Sequence, residues 1–374
     1  MHYQQWISSK TQFYQLPEPL GLESGGSLSN VQVAYRTWGA LNSQGDNAIL
    51  ICHALTGSAD ADRWWQDLFG AGKVFDPDQD FIICSNILGS CYGTTGPTSL
   101  NPITNEPYAS TFPAITIRDM VRVQAKLLEQ LSVQRLKLVI GGSLGGMQVL
   151  EWALLYPDWV QAIVPIATSG RHSAWCVALS EAQRQAIYAD PQWAAGQYSP
   201  ERSPNHGLAI ARMIAMSTYR SWQSFEQRFG RQIDRAPLPY SAVPKPAEGV
   251  SFSIQQYLYR HGQKLVERFD ANTYITLTQA MDHHDISQQR GEYIHVLQAI
   301  QHPTLVVSID TDVLYPPAEQ QLLAETIPKA QWTSITSMHG HDGFLIDTQV
   351  LNDRVVAFGH SLGWGNALTA SSLE

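Results

Sequence analysis

The chain has 374 residues and a formal net charge of −9 at pH 7. Hydrophobic residues make up 44% of the chain and charged residues 15%, which is enough apolar material for a core and no signature of disorder. The acidic balance argues against nucleic-acid binding, which needs concentrated Lys and Arg, but a few local cations can still hold a small anionic ligand.

The cysteines and the hydropathy pattern exclude further classes of protein. Cys52, Cys84, Cys91 and Cys176 show no paired spacing, so we expect neither a zinc site nor a disulfide framework. The N-terminal residues lack a charged region followed by an apolar one, and no apolar run approaches the length of a membrane span. We expect a soluble, cytoplasmic protein without a membrane partner.

Buried strands and loops dominate the first third of the chain. Residues 31–35 alternate in polarity and predict an antiparallel strand at the sheet edge. Continuous apolar runs at 48–52 and 81–84 predict strands that are buried on both faces. Residues 63–78 mix aromatic and turn residues and predict a loop over the site. The polar loop 85–108 is so long that a functional role is expected.

A capping box marks the start of the first long helix. Thr116 and Asp119 have the spacing of a capping box, and the apolar residues that follow, up to Leu131, keep helical spacing. The helix leads directly to the apolar strand at residues 136–140. That strand runs into Gly141-Gly142-Ser143-Leu144-Gly145-Gly146, and a helical pattern follows at once.

Ser143 lies at the apex of this strand, turn and helix. Glycines on both sides allow the strand and helix to fold back closely and hold the serine in a strained conformation. We interpret Ser143 as a nucleophile; the alternative is a serine that only caps the helix. The amide of Leu144 at the helix start and the amide of Leu55, in the loop after the strand at 48–52, are candidate oxyanion donors. The alternative for Leu55 is an ordinary loop amide.

The second half of the chain interrupts and then resumes the α/β rhythm. A strand is predicted at 162–167, followed by a mostly helical segment at 170–301 with helices at 207–219 and 253–268 and a Pro-rich bridge at 236–248. We predict that 170–301 is a lid inserted between two parts of one core, 1–169 and 302–374. The second part comprises strands at 304–309 and 332–337 and helices at 317–327 and 344–363.

Two loops supply candidates for the other catalytic groups. Asp310 and Asp312 follow the strand at 304–309, and His339 and His341 follow the strand at 332–337. A serine nucleophile needs a base with a pKa near 7 and a carboxylate that fixes the tautomer of that base. The order Ser, Asp, His is typical of α/β hydrolases. The pattern favours Asp312 and His341, which lie farther out of each strand; the alternative for each is a turn residue.

Several longer motifs resemble the homoserine O-acetyltransferase family of α/β-hydrolase-fold acyltransferases. They are HALTG (53–57), ICSNILGSCYGTTGPTSLNP (83–102), FPAITIRDMV (112–121), GGSLGGMQVLEWA (141–153), TDVLYPP (311–317) and GHDGFL (340–345). The resemblance spans nearly the whole chain. It implies an α/β-hydrolase fold, with a mostly parallel sheet and a helical lid, and the triad Ser143, Asp312 and His341.

The resemblance also implies the substrates. Arg212 and Tyr219, in ARMIAMSTYR, and Asp342 match the substrate-binding residues of the family. An arginine can hold an α-carboxylate in a bidentate manner, and an aspartate can hold an α-ammonium. The implied reaction moves an acetyl group from acetyl-CoA to L-homoserine, without a bound cofactor, in a homodimer.

Alternatives remain open at this point. A serine esterase would use the same triad with water as acceptor, and the pair Arg212 and Asp342 is the feature that an esterase does not need. The acyl group could be succinyl or propionyl, and the acceptor could be L-serine. A catalytically inactive binding module conflicts with the presence of the three triad residues. His283, His284 and Asp285 resemble a metal cluster, but they are consecutive and no further ligand lies at a suitable spacing from them. A polar helix end is therefore favoured.

Overall fold

The computed structural model describes residues 5–234 and 251–364. Within them the strands are β1 (Gln12–Gln15), β2 (Leu20–Gly21), β3 (Ser27–Leu28), β4 (Gln32–Trp38), β5 (Ala48–Cys52), β6 (Phe81–Ser85), β7 (Leu136–Gly142), β8 (Ile163–Ile166), β9 (Ile233–Asp234), β10 (Ser251–Phe252), β11 (Thr304–Ile309) and β12 (Ala330–Ile335). The α-helices are α1 (Ala61–Trp64), α2 (Ile117–Gln130), α3 (Leu144–Leu155), α4 (Ala174–Tyr188), α5 (Asn205–Tyr219), α6 (Trp222–Arg228), α7 (Ser253–Val266), α8 (Ala271–Asp282), α9 (Tyr293–Gln298), α10 (Pro317–Thr326), α11 (Gly343–Ile346) and α12 (Thr348–Ser361).

One large sheet organises the described residues. Its eight strands lie in the order β1-β4-β6-β5-β7-β8-β11-β12. The pairs β1–β4 and β4–β6 are antiparallel, and the other neighbouring pairs are parallel. The mostly parallel central sheet and the antiparallel edge are therefore confirmed. Because parallel strands present their carboxyl ends at one edge, the loops after β5, β7, β11 and β12 all leave the sheet on the same side.

The apolar strands are buried on both faces, as their continuous hydrophobic runs predict. In β5, the side chain of Leu50 packs into the core under α2 and α3, whereas Ile49 and Ile51 pack into the core under α12. All five residues of β5 are buried. This central strand therefore gives the loop that follows it a rigid base.

The capping box at the start of α2 is present. The Thr116 side chain accepts a hydrogen bond from the Asp119 amide, and the Asp119 carboxylate accepts one from the Thr116 amide at 3.0 Å. These bonds satisfy amide groups that a helix start otherwise leaves without partners. The predicted helix is confirmed, with its last helical residue at Gln130.

Two predictions for local structure are wrong. Residues 63–78, which were predicted to form a loop over the site, pack into the core instead: they include the end of α1 and a 3₁₀ turn (Gln66–Leu68), and Trp65 and Phe75 are fully buried against the core that α12 covers. The burial of large aromatic surface favours this packed arrangement. The closing helix is not continuous either, because Asp347 has φ −87° and ψ 46° and separates α11 from α12.

The predicted insertion contains helices α4 to α9 between β8 and β11, together with the short antiparallel pair β9–β10. The helices predicted at 207–219 and 253–268 are found as α5 and α7. Gly262 of α7 lies so close to α5 that a Cβ there would be 2.9 Å from the Ala209 carbonyl oxygen. The predicted Pro-rich bridge at 236–248 lies outside the described residues.

Arg118 on α2 joins the core to the segment that follows α8. Its guanidinium lies 3.1 Å from the Glu151 carboxylate of α3 and 2.5 Å from the Glu23 carboxylate, and it donates a hydrogen bond to the Gln288 carbonyl at 2.8 Å. Glu151 is only 1% exposed and is also paired with Arg290 at 2.8 Å. Removal of one partner from such a buried ion pair strongly destabilises the folded protein.

Candidate active site

Ser143 occupies the junction of β7 and α3 in a strained conformation. Its φ is 58° and its ψ is −125°, a region that costs a residue with a Cβ about 1–3 kcal/mol. The Ser143 amide donates to the Ile166 carbonyl at 2.9 Å, and the Ser143 carbonyl accepts from the Thr168 hydroxyl at 2.9 Å. The side chain makes no capping hydrogen bond. The alternative of a helix-capping serine is therefore wrong.

Close approaches explain two of the glycines around Ser143. A Cβ on Gly145 would lie 2.1 Å from the Cys52 carbonyl oxygen, so only glycine lets the first turn of α3 rest on the end of β5. A Cβ on Gly142 would lie 2.5 Å from the Phe344 ring. The serine turn is therefore held between the β5 loop on one side and the start of α11 on the other.

Asp312 and His341 form the closest charged pair in this region. The distance between His341 Nδ1 and Asp312 Oδ2 is 2.7 Å, and both residues are 3% exposed. The other carboxylate oxygen, Oδ1, accepts hydrogen bonds from the amides of Leu314 at 2.8 Å and Tyr315 at 2.9 Å. With Nδ1–H donating to Asp312, the neutral imidazole keeps Nε2 as an acceptor, which is the tautomer that a general base needs.

The two alternative residues have other partners. Asp310 accepts a hydrogen bond from the Ser337 amide at 2.9 Å and so acts as a turn residue. His339 Nδ1 lies 3.2 Å from the Arg220 guanidinium. Of the two aspartates and two histidines, the structure thus joins Asp312 to His341.

The environment of His341 sets its protonation. Burial alone would lower the pKa of His341, but the charge and hydrogen bond of Asp312, with a smaller contribution from Asp342, raise the pKa above its ordinary value. The imidazole packs between aromatic rings, with ring centroids 5.5 Å from Phe344, 5.6 Å from Tyr219 and 5.4 Å from Tyr315. Since Phe344 also contacts Gly142, His341 lies beside the turn that carries Ser143.

The candidate oxyanion donors lie on the two segments that meet at Gly145. The Leu144 amide is at the first position of α3, and the Leu55 amide is in the loop after β5. In the described parts of the chain, neither amide donates to another protein group. Both N–H groups are thus available to a ligand, as an oxyanion hole requires.

His53 organises the β5 loop and was missed in the sequence analysis. Its Nδ1 lies 2.8 Å from the Ala54 carbonyl oxygen, and its Nε2 accepts a hydrogen bond from the Ile87 amide at 3.1 Å. Burial lowers the pKa of His53 to about 4, so the ring is neutral at pH 7 and can serve as donor and acceptor at once. The only sequence signal was its place in the HALTG motif.

The predicted substrate-binding residues lie around His341. The guanidinium carbon of Arg212 is 5.1 Å from the centroid of the Tyr219 ring, which in turn contacts His341. Among the described residues, Arg212 has no carboxylate or hydrogen-bond partner, so its N–H groups are free to bind an anion. Burial raises the pKa of Asp342, although Arg220, Arg212 and His341 each lower it.

Arg220 is a second residue that the sequence analysis missed. Its Nε lies 3.2 Å from Asp342 Oδ2, but the geometry is not that of a hydrogen bond. The residue lies at the end of α5, directly before α6, and a Cβ on Gly340 would be 2.8 Å from the Arg220 carbonyl carbon. No pattern in the sequence brings Arg220 to Asp342, because 121 positions separate them.

The region of His283, His284 and Asp285 forms structural contacts. Asp285 pairs with the Arg171 guanidinium at 2.7 Å, and its other oxygen accepts a hydrogen bond from the Ser287 amide at 2.8 Å. Across residues 5–234 and 251–364, no three His, Cys, Asp or Glu side chains are grouped as metal ligands. Over the same residues, no helix combines the length and the apolar character that crossing a bilayer requires. The four cysteines are free and buried.

Comparisons with known proteins identify relatives over nearly the full chain. The family model described as alpha/beta hydrolase fold matches residues 47–348. The homoserine O-acetyltransferase of Trichormus variabilis is 65% identical over 362 residues, which are 97% of this chain and 97% of that protein. The predicted α/β-hydrolase fold is confirmed.

Solved structures of two different activities share this fold. The crystal structure of homoserine O-acetyltransferase from Bacillus anthracis has a TM-score of 0.85 and 27% identity, and the match covers 93% of this chain and 97% of that one. The crystal structure of esterase E22 has a TM-score of 0.83 and 28% identity, and the match covers 93% of this chain and 99% of that one.

Proposed function

The chain belongs to the homoserine O-acetyltransferase family of α/β-hydrolase-fold enzymes, and from this premise we propose that it transfers an acetyl group from acetyl-CoA to the hydroxyl of L-homoserine. The product is O-acetyl-L-homoserine, a precursor in methionine biosynthesis. The observation that carries the proposal is the near-complete alignment with an acetyltransferase at 65% identity. The site geometry supplies a mechanism for it.

In the first half-reaction, Ser143 takes the acetyl group. His341 Nε2 accepts the proton of the Ser143 hydroxyl as the oxygen attacks the thioester carbonyl. The amides of Leu55 and Leu144 stabilise the oxyanion of the tetrahedral intermediate. The carbon–sulfur bond then breaks, the proton on His341 passes to the departing thiol of CoA, and Ser143 is left as an acetyl ester. Asp312 keeps the imidazole oriented and stabilises its charged form.

In the second half-reaction, homoserine takes the acetyl group from Ser143. His341 accepts the proton of the homoserine hydroxyl as that oxygen attacks the ester carbonyl. The second tetrahedral intermediate uses the same two amides, and its collapse returns the proton from His341 to Ser143 Oγ. No bound cofactor or metal ion takes part in this cycle of proton and acyl transfer.

Arg212, Tyr219 and Asp342 select the acceptor. The guanidinium of Arg212, which has no carboxylate partner in the described residues, can bind the homoserine carboxylate in a bidentate manner. Tyr219 packs between Arg212 and His341 and defines the distance from the carboxylate to the base. Asp342 binds the α-ammonium, which takes the place of Arg220 in the ion pair.

A serine esterase is the second candidate function, because esterase E22 has nearly the same TM-score as the acetyltransferase structure. An esterase needs the triad but no group for an amino-acid carboxylate. Transfer of other acyl groups, such as succinyl, and transfer to L-serine remain alternatives, because these substrates differ from acetyl-CoA and L-homoserine by only a few atoms. The cytoplasmic location and the homodimer stay predictions.

A matrix of acyl-CoA donors against hydroxy amino acids tests the proposal. Free CoA release should require both acetyl-CoA and L-homoserine, and O-acetyl-L-homoserine should appear in equal amount. Equal release of CoA with and without an amino acid would support the esterase instead. Enzyme incubated with acetyl-CoA alone should gain one acetyl group on the peptide that contains Ser143. The Ser143→Ala variant should fold normally and gain none, and a label on another residue would refute the serine assignment.

A further inference from the structure

Helices α5, α6 and α7 carry a surplus of positive charge. Residues 205–234 and 251–268 contain seven Lys and Arg and only three Asp and Glu, although the chain as a whole has a net charge of −9. A local concentration of one sign in an acidic protein attracts a ligand of the opposite sign. The acceptor, an amino acid with one carboxylate, does not need so many cations.

Two of these cations, Arg228 and Lys264, lie along one track of side chains, which we call the cationic track. Tyr257, His261 and Lys264 are spaced by four and three residues on α7, so they share one face of the helix. The guanidinium carbon of Arg228 on α6 is 5.1 Å from the centroid of Tyr257, and the Tyr257 ring is 4.3 Å from the His261 ring. Arg228 and Lys264 thus flank His261, and both are exposed.

The surroundings of His261 are positive. Burial and, to a smaller extent, the charges of Arg212, Lys264, Arg220 and Arg228 together lower the pKa of His261 to about 4. In the described ranges, Arg228 contacts aromatic faces, those of Phe229 and Tyr257, and pairs with no carboxylate. Its N–H groups therefore remain available to an anion.

This cationic track begins next to the catalytic loop. The Ser221 hydroxyl, at the start of α6, donates a hydrogen bond to the Met338 carbonyl at 2.5 Å. A Cβ on Gly340, the residue before His341, would lie 2.7 Å from the Ser221 amide. From Ser221 to Arg228 the helix advances about 10 Å, at 1.5 Å per residue. Arg228 thus lies one short helix away from the His341 loop.

We propose that Arg228 and Lys264 bind the phosphate groups of the acyl-CoA donor while its thioester reaches Ser143. The inference rests on the proposed function, in which the donor is acetyl-CoA. The negative charge of CoA lies on its phosphates, at the far end of the pantetheine arm from the thioester. Arg228 and Lys264 lie on helices away from the serine turn and have no acidic partner among the described residues, so they offer positive charge to these phosphates. Arg and Lys are the side chains that bind phosphate oxygens most strongly.

Two donors that differ only in the nucleotide test the proposal. The double variant Arg228→Gln/Lys264→Gln is compared with the unchanged enzyme, using acetyl-CoA and S-acetylpantetheine at saturating homoserine. The kcat/KM for acetyl-CoA should fall roughly 5- to 30-fold, as expected for two partly exposed charge contacts. The kcat/KM for S-acetylpantetheine, which has no nucleotide phosphates, should stay within about twofold. Arg354→Gln, which removes one positive charge from an exposed residue of α12, is the control for a loss of surface charge away from the site.

Salt dependence and direct binding give independent readouts. The KM of the unchanged enzyme for acetyl-CoA should rise with ionic strength, and the double variant should lose most of this rise. Calorimetric titration with CoA should show the same loss of affinity without any turnover, and adenosine 3′,5′-bisphosphate should compete with CoA only in the unchanged enzyme.

Three outcomes would overturn the proposal. They are an equal fall with both donors, an unchanged kcat/KM for acetyl-CoA, and unchanged CoA affinity in the double variant. An unchanged enzyme that transfers acetyl groups from neither donor would refute the proposed function instead, and the CoA titration would still decide whether Arg228 and Lys264 bind the phosphates.

Discussion

Replacement of Arg212 by Ala should weaken the second half-reaction and spare the first. Its guanidinium lies 5.1 Å over the Tyr219 ring and pairs with no carboxylate in the described residues. Its removal breaks no ion pair within those residues, so the free energy of unfolding should change little. The affected step should be the attack of homoserine on the acetyl ester of Ser143, because Arg212 is proposed to bind a carboxylate and only the acceptor carries one.

The size of the effect follows from the type of contact. A bidentate, charge-assisted interaction is worth about 1.5–3 kcal/mol, which corresponds to a loss of roughly 10- to 150-fold. Single-turnover kinetics measures this directly: preformed acetyl-enzyme is mixed with homoserine, and its decay is followed against homoserine concentration. Raising homoserine should restore part of the rate, because the variant loses ground-state binding of the acceptor as well as orientation.

The controls separate the carboxylate contact from a general loss of function. Arg212→Lys should recover only part of the rate, since an ammonium cannot reproduce the planar fork of the guanidinium. Arg354→Ala, on the exposed side of α12, should behave as the unchanged enzyme. Acylation of Ser143 by acetyl-CoA should be near normal in all three variants. If acetyl-enzyme of Arg212→Ala decayed with an unchanged dependence on homoserine, Arg212 would have no part in acceptor binding and the esterase interpretation would gain support.

Three further predictions concern the triad and the fold. Asp312→Asn should lower kcat about 10⁴-fold because the imidazole loses its orienting carboxylate. Asp310→Asn removes only a turn contact and should change kcat little. A large loss of kcat in Asp310→Asn would instead assign the catalytic carboxylate to Asp310. The raised pKa of His341 keeps the base protonated to higher pH. The kcat should therefore rise with pH through an apparent pKa above the 6.5 of an ordinary histidine. A kcat that does not change with pH in this range would contradict His341 as the base. Arg118→Met leaves the buried Glu151 carboxylate with Arg290 as its remaining cation and should lower the free energy of unfolding by about 3–5 kcal/mol in urea titrations. Lys126→Met, in an exposed pair on the same helix, should cost less than about 1 kcal/mol. Equal losses from the two variants would show that the buried ion pairs of Arg118 add no more stability than an exposed pair.

Local patterns in the sequence determined most of the framework of the site. The turn that carries Ser143 depends on glycines within three positions of it, because Gly145 permits the close contact with β5 and Gly142 the close contact with Phe344. The start of α2 depends on Thr116 and Asp119, which contact each other across three residues. Continuous apolar runs predict the buried parallel strands. The loops that carry Asp312 and His341 directly follow two predicted strands, so their position in the chain could also be predicted.

Only the tertiary structure decided which of the neighbouring polar residues meet. Asp310 and Asp312 are equivalent in a local pattern, and the choice between them comes from the amides of Leu314 and Tyr315 and from His341, which the adjacent strand β12 delivers. The contacts of Arg220 with Asp342 and of Arg228 with Tyr257 join elements that are far apart in the chain. Side-chain contacts between distant segments depend on how helices pack on the sheet and on each other. The spacing of residues along the chain does not predict that packing.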